Sequence, residues 1–114
     1  MKIKTSELEG AALDWAVAYA LNGSAAFFDA FGARMLGRSI TAEVLAGEIK
    51  PSTDWCQAGP LIGEYCTAMQ KSVHGYWAHC CDRLGEGQTI LIAACRAIVA
   101  ANLGDTVDVP EELV

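Results

Sequence analysis

The clearest pattern in the chain is a run of apolar residues at helical spacing near its start. Two adjacent faces of a helix collect them, with Leu8, Ala12, Trp15 and Tyr19 on one and Leu13, Val17 and Leu21 on the other. Ser6 and Glu9 have the spacing of a capping box, and Asn22-Gly23 is typical of a helix C-terminus. The pattern predicts a short strand over residues 2–5, followed by a helix that begins in the capping box and is buried on more than one side.

A second apolar helix is predicted near the other end of the chain, from Ile90 to Asn102. Gln88-Thr89 opens it and Leu103-Gly104-Asp105 closes it. After this helix, two valines, Val107 and Val109, are expected to pack on the core, while the acidic residues of the tail stay in solvent.

The middle of the chain is more mixed. Residues 24–47 favour two short helices, and residues 50–60 indicate a loop, because Pro51 and the Ser-Thr-Asp run after it form turns. Residues 61–69 and 75–83 favour two antiparallel strands, although residues 64–71 also suit a helix. Gly85-Glu86-Gly87 is expected to interrupt the secondary structure between the second strand and the last helix.

Together these elements predict an α+β fold in one small domain over residues 1–114. Two long apolar helices are expected to pack on a short antiparallel sheet, with a variable helical insertion over residues 24–50 after the first helix.

Composition narrows the class of protein. The chain has 114 residues, of which 53% are hydrophobic and 19% charged, so it can bury a core and is not disordered. Its net charge of −6 leaves no basic patch to neutralise phosphates, so nucleic acid is not an expected partner. The apolar stretch at residues 15–28 is interrupted by Asn22, Gly23 and Ser24, and it is shorter than the roughly 20 residues of a membrane-spanning helix. No membrane contact is expected either.

The cysteines point to a reducing compartment. The chain has five, an odd number, and two of them, Cys80 and Cys81, are adjacent, which is unlike a disulfide framework. The N-terminus also lacks the apolar segment of a secretory signal. We therefore expect reduced thiols in a cytoplasm.

Four neighbouring residues are of types that bind zinc: His74, His79, Cys80 and Cys81. On an extended strand, however, His79 and Cys81 share one face while Cys80 points to the other, and no second ligand pair completes a site. We expect no metal and no cofactor.

Two charges lie within the apolar helices, Asp14 in the first and Arg96 in the second. Burying either one alone costs several kcal/mol, so each needs a partner or an exposed edge. One interpretation is that the two helices pack together and satisfy one or both charges across the contact. The other is that each side chain reaches solvent at the edge of its helix.

The predicted loop is the densest group of polar and aromatic side chains, with Ser52, Thr53, Asp54 and Trp55 in succession. Hydroxyl, carboxylate and indole groups on a loop are typical of a small-molecule site. The alternative is structural, with the polar residues capping turns and Trp55 filling the core.

Three blocks resemble the NinX-like family of small phage-encoded proteins of unknown function: residues 4–18, residues 51–62, and residues 91–96 together with 104–105 and 109–113. The chain departs from that pattern at Cys56, Ala58 and residues 85–89, and its segment 24–47 does not follow the family pattern. The resemblance implies a phage or prophage origin, a place in the bacterial host cytoplasm and an accessory role outside the virion. It implies no activity.

The positions that the physical argument and the resemblance both select form the candidate ligand-binding set: Asp14, Trp15, Ser52, Thr53, Asp54, Trp55 and Arg96. They suggest a non-catalytic binding module for a small polar ligand, such as a nucleotide, or for a host protein, and no catalytic residue is assigned. One alternative is an enzyme acting through Asp54 or a cysteine–histidine pair. Another is an acidic decoy of a nucleic-acid-binding protein, in which Glu43, Glu48, Glu64, Asp82 and Glu86 would share a face.

The excess of apolar residues also predicts self-association. Apolar surface that two packed layers cannot hide usually meets a partner chain, and Phe27, Phe28 and Phe31 are the candidate surface for a homo-oligomer, most simply a dimer. The alternative is that these phenylalanines complete the core of a monomer.

Overall fold

The computed structural model describes residues 1–32 and 39–114. Within them the chain forms helices α1 (Gly10–Leu21), α2 (Ala25–Phe31), α3 (Ile40–Leu45), α4 (Trp55–Tyr65) and α5 (Ile90–Leu103). The strands are β1 (Lys2–Lys4), β2 (Cys66–Ser72), β3 (Gly75–Cys80), β4 (Arg83–Gly87) and β5 (Thr106–Asp108), and 3-10 turns cover Thr5–Glu7 and Glu111–Leu113. The mixed α+β class is therefore confirmed.

The strands form two antiparallel sheets. β2, β3 and β4 follow one another as a meander, and β1 pairs with β5, so that Ile3 lies opposite Val107. The second sheet brings the two ends of the described chain together. Val107 and Val109 are buried, as predicted.

Helix α5 occupies the centre of the molecule. It packs on β3 and β4 and also contacts α1. Because both helices are enclosed, α1 is buried from Ala12 to Ala18 and α5 buries most of its residues. Two long helices were expected to pack on the sheet; α5 does so, whereas α1 packs mainly against α5 and α3.

The predicted capping box does not form. Residues 5–7 make a 3-10 turn, and α1 begins only at Gly10, after an N-cap residue, Glu9, whose side chain caps nothing. The cause is tertiary. Thr5 is held by the end of α5, because its backbone N–H donates to the carbonyl of Asp105 (2.8 Å) and its hydroxyl donates to that of Gly104 (2.6 Å). Gly10, at φ +57°, then redirects the chain into the helix.

The prediction of a loop through residues 59–60 and a strand from residue 61 is wrong. Asp54 caps a helix that continues through Gly59 and Pro60 to Tyr65, and the strand starts at Cys66. Proline inside a helix costs about 3 kcal/mol. Two buried side chains on α4, Ala58 and Leu61, offset that cost by packing into the core.

The prediction of a chain break at residues 85–87 is also wrong, since these residues lie in β4. The glycines are there because α5 crosses the strand closely. A Cβ atom added at Gly85 would lie 2.3 Å from the carbonyl oxygen of Ala93, and one at Gly87 would lie 2.6 Å from the Ile92 side chain. Glycine in a strand marks such an approach of another backbone.

The segment after α1 contains the two short helices that were expected, α2 and α3, each capped by a serine hydroxyl, from Ser24 and Ser39. The part of that prediction that falls on residues 33–38 lies outside the described residues. Phe27 and Phe31 are buried in the core and Phe28 is half-buried. Two of the three phenylalanines therefore belong to the core, and Phe28 packs against it.

Candidate functional site

The seven candidate residues do not converge on one cavity. Six of them lie around α1 and the start of α4, and Arg96 lies in α5, where its guanidinium meets different neighbours. Asp14 and Arg96 make no ion pair with each other in the described part of the chain. Each charge has its own partners.

Asp14 and Ser52 are in direct contact. The buried Asp14 carboxylate accepts a hydrogen bond from the backbone N–H of Ser52 through Oδ1, at 2.8 Å. Burial raises the pKa of the Asp14 carboxyl, and the hydrogen bond from the backbone N–H of Ser52 acts in the opposite direction. The buried Ser52 hydroxyl has no hydrogen-bond partner among the described residues. The pair anchors the turn before α4 to α1, which makes the contact structural.

Three other residues of that group, Trp15, Thr53 and Asp54, also support the fold. The Trp15 ring is buried and stacks on Tyr19, with ring centroids 4.7 Å apart. Asp54 caps α4 by accepting from the N–H of Cys56 at 2.8 Å, and Thr53 contacts the carbonyl of Lys50. Trp55 is exposed on the first turn of α4.

Arg96 lies at a separate cavity of about 740 Å³. The N-terminal segment around Lys4 and Ser6, strand β4 and the turn between β2 and β3 form its walls, and α5 contributes Ile92, Arg96 and Ala100. The volume falls in the range of small-molecule sites. We call this space the Arg96 cavity.

Backbone hydrogen bonds hold the Arg96 side chain in place. Its Nε donates to the carbonyl of Leu8 at 2.8 Å, and one Nη donates to the carbonyl of Glu86 at 2.7 Å. The guanidinium thus joins the N-terminal segment to β4. Its other terminal nitrogen makes no hydrogen bond to the described residues. Desolvation lowers the pKa of Arg96 while the charge of Glu9 raises it, and the guanidinium stays protonated.

The charges around the Arg96 cavity are mixed. Lys4 and Arg96 supply positive charge, and Glu9, Glu86 and Asp105 supply negative charge. Asp105 is ion-paired with Arg83 outside the cavity. Among these lining residues the acidic side chains outnumber the basic ones by three to two.

The residues considered for zinc are spread out. Cys80 is buried, His79 is exposed, and Cys81 lies in the turn after β3, while His74 lines the Arg96 cavity. In the described part of the chain, no three His, Cys, Asp or Glu side chains are grouped to hold a metal ion. The five acids proposed for a decoy surface lie on α3, the segment after it, α4, the β3–β4 turn and β4.

The sequence identified Arg96 as a candidate site residue, because it is the single charge in an apolar helix. It did not identify the other residues that line the cavity. Lys4, Ser6 and Glu9 gave no such signal, because they reach the cavity only through the pairing of β1 with β5 at opposite ends of the chain.

The fold and the cavity define a small mixed α/β protein in which α5, β4 and the N-terminal segment line a polar cavity. A comparison with protein families matches residues 4–102 to the family described as bacteriophage P22, NinX. The match covers most of the chain, which therefore belongs to the NinX family, and this membership supports a role as a phage accessory protein. A search of curated proteins found no match. No helix in the described residues is long and apolar enough to cross a membrane.

Proposed function

We propose that the protein is a non-catalytic binding module, and that its ligand is a small polar molecule with one anionic group held in the Arg96 cavity. The observation that supports this is the guanidinium of Arg96. Two of its nitrogens are fixed by the carbonyls of Leu8 and Glu86, and a third has no partner among the described residues. A donor held rigidly in this way loses little entropy when it binds an anion.

The rest of the cavity indicates which anion fits. Ser6, Ser72 and His74 offer hydrogen-bonding groups, and Tyr76 and Ile92 offer apolar surface. A nucleoside monophosphate or a ring-bearing carboxylate matches this combination, with its anion beside Arg96 and its ring against Tyr76. A nucleoside triphosphate matches it less well, because Glu9 and Glu86 would repel the additional charges.

Thermal stabilisation across a ligand panel tests the proposal. A ligand at 100 times its Kd stabilises the native state by about 2.7 kcal/mol, which raises Tm by roughly 10 °C in a protein of this size. The panel holds nucleoside mono-, di- and triphosphates and aromatic carboxylates, and the monophosphates or carboxylates are expected to give the largest shift.

Matched variants locate the site. Lys4→Gln removes a positive charge from the cavity wall, and Lys2→Gln removes the same charge from the same strand outside the cavity. Lys4→Gln and Arg96→Lys are expected to weaken binding, and Lys2→Gln to leave it unchanged. No shift with any ligand at millimolar concentration contradicts the proposal, and so does a shift that all three variants retain.

A further inference from the structure

The meander sheet contains a pair of thiols in direct contact, away from the Arg96 cavity. Cys66 is the first residue of β2 and Cys80 is the last of β3, and the register pairs them across the two strands. Their Sγ atoms are 3.0 Å apart. This is a thiol–thiol contact closer than ordinary packing, at a position where both side chains point to the same face of the sheet.

The backbone geometry there suits a covalent bond. Directly opposed residues of an antiparallel pair have Cα atoms about 4.5–5.5 Å apart, and disulfides span about 4.4–6.8 Å. Only a small movement of the two side chains separates the contact from a bond. We propose that Cys66 and Cys80 are a redox modification site that forms a reversible disulfide with a small-molecule disulfide as oxidant.

The two thiols differ in a way that assigns their roles. Cys66 is half-buried and Cys80 is fully buried, so an oxidant reaches Cys66 first. The hydrogen bond from Cys80 lowers the pKa of the Cys66 thiol, and the same contact together with burial raises that of Cys80. Cys66 is therefore the attacking thiol.

The exchange takes two steps. The Cys66 thiolate attacks one sulfur of the small disulfide, forms a mixed disulfide and releases the first small thiolate. Cys80, after giving up its proton, attacks the Sγ of Cys66 and releases the second. Two electrons pass from the protein sulfurs to the small disulfide, which leaves as two thiols carrying the two protons.

The bond would fasten the junction between α4 and β2 to the end of β3. It closes a loop between positions 14 residues apart, and loops of about this length give a stabilisation that corresponds to a Tm increase on the order of 10 °C. The other three cysteines lie in different settings, with Cys56 and Cys81 exposed and Cys95 buried in α5.

Oxidation of the folded protein with oxidised glutathione, followed by alkylation and peptide mass spectrometry, tests the site. The expected result is a crosslinked peptide joining Cys66 to Cys80, a mass loss of two hydrogens, a raised Tm and reversal by dithiothreitol. The double variant Cys56→Ser, Cys81→Ser keeps Cys66, Cys80 and Cys95 and is expected to form the same crosslink, because it retains both members of the pair.

Single variants provide the opposite control. Cys80→Ser is expected to stop at a glutathione adduct on Cys66, and Cys66→Ser to lose the crosslink. Circular dichroism establishes that each variant is folded. A folded wild-type protein that acquires adducts on Cys56 and Cys81 while Cys66 and Cys80 stay unlinked overturns the proposal, as does a bond between Cys80 and Cys81 in its place.

Discussion

At the scale of single residues, the two charged side chains in the apolar helices have different structural roles. Asp14 is tied to the turn before α4, and Arg96 joins the N-terminal segment to β4 at the edge of a cavity. Both were identifiable from the sequence, because a lone charge in an apolar helix needs an explanation. Their partners were not identifiable, since three of those partners are backbone groups, and any residue type supplies these.

The buried Asp14 carboxyl predicts a pH-dependent stability. Its pKa is raised on folding, so the native state binds a proton more tightly than the unfolded chain, and this contribution is complete below the ordinary pKa of 3.8. It is lost as the pH rises through the raised pKa. Asp14→Asn removes the titration and retains an oxygen for the N–H of Ser52. Relative to the wild type, the variant is therefore expected to gain stability as the pH rises from 3.5 to 7.5.

Urea unfolding of both proteins over that pH range measures the difference. Asp29→Asn, at an exposed position of α2, controls for the change in net charge. Parallel curves for the wild type and Asp14→Asn would show that the carboxyl has the same proton affinity in both states, against the prediction.

At the scale of elements, the spacing of apolar residues predicted the long helices correctly. It failed for the elements whose secondary structure depends on tertiary contacts. α1 and α5 were predicted because their apolar residues repeat over three turns or more. β4 was missed because its glycines have the composition of a turn, and their role depends on the backbone of α5 lying against them. α4 was missed because Gly59-Pro60 is a common helix stop, and the burial of Leu61 that carries the helix through it is not visible locally.

Two glycines in different elements test the role assigned to β4. Gly85→Ala places a Cβ atom 2.3 Å from the Ala93 carbonyl oxygen and 2.4 Å from the Ala97 nitrogen, and neither backbone atom can move without shifting α5. We expect a loss of about 3 kcal/mol or more. Gly63→Ala, in α4, meets nothing within 4 Å and is expected to stabilise by about 0.5–1 kcal/mol.

Chemical denaturation of the two alanine variants gives both values. If Gly85→Ala were as stable as the wild type, the contact between β4 and α5 would be looser than described. The same result would remove the reason for two glycines in this strand.

At the scale of the whole molecule, most apolar residues of the described part of the chain are buried or partly buried. The accessible surface is 6142 Å², and a folded monomer of 12.1 kDa is expected to expose about 6,000 Å². The large apolar side chains that remain exposed, among them Tyr19, Trp55, Val73 and Leu84, lie on separate elements. A homo-oligomer stays a prediction.

The central position of α5 predicts that the molecule unfolds as one cooperative unit. α5 packs against the meander sheet and α1, and its C-terminal end also contacts β5. If either the meander sheet or α1 unfolded alone, the apolar residues of α5 on that side would be exposed to water. We therefore expect the sheet and α1 to unfold together with α5. We predict that fluorescence reporters in α1 and in the meander sheet show the same urea transition, with an m value of about 1–3 kcal/mol/M.

Tryptophan fluorescence measures these transitions, because Trp15 lies in α1 and Trp77 lies in β3. Two double variants each keep a single tryptophan. The variant Trp55→Phe/Trp77→Phe keeps Trp15, and the variant Trp15→Phe/Trp55→Phe keeps Trp77. In each variant the fluorescence midpoint is expected to equal the midpoint by circular dichroism, which follows all the helices. A Trp15 signal that changes at a lower urea concentration than the circular dichroism of the same variant would mean that α1 separates before α5 leaves the sheet. The two apolar helices would then be independent layers, and the enclosed position of α5 would not couple them.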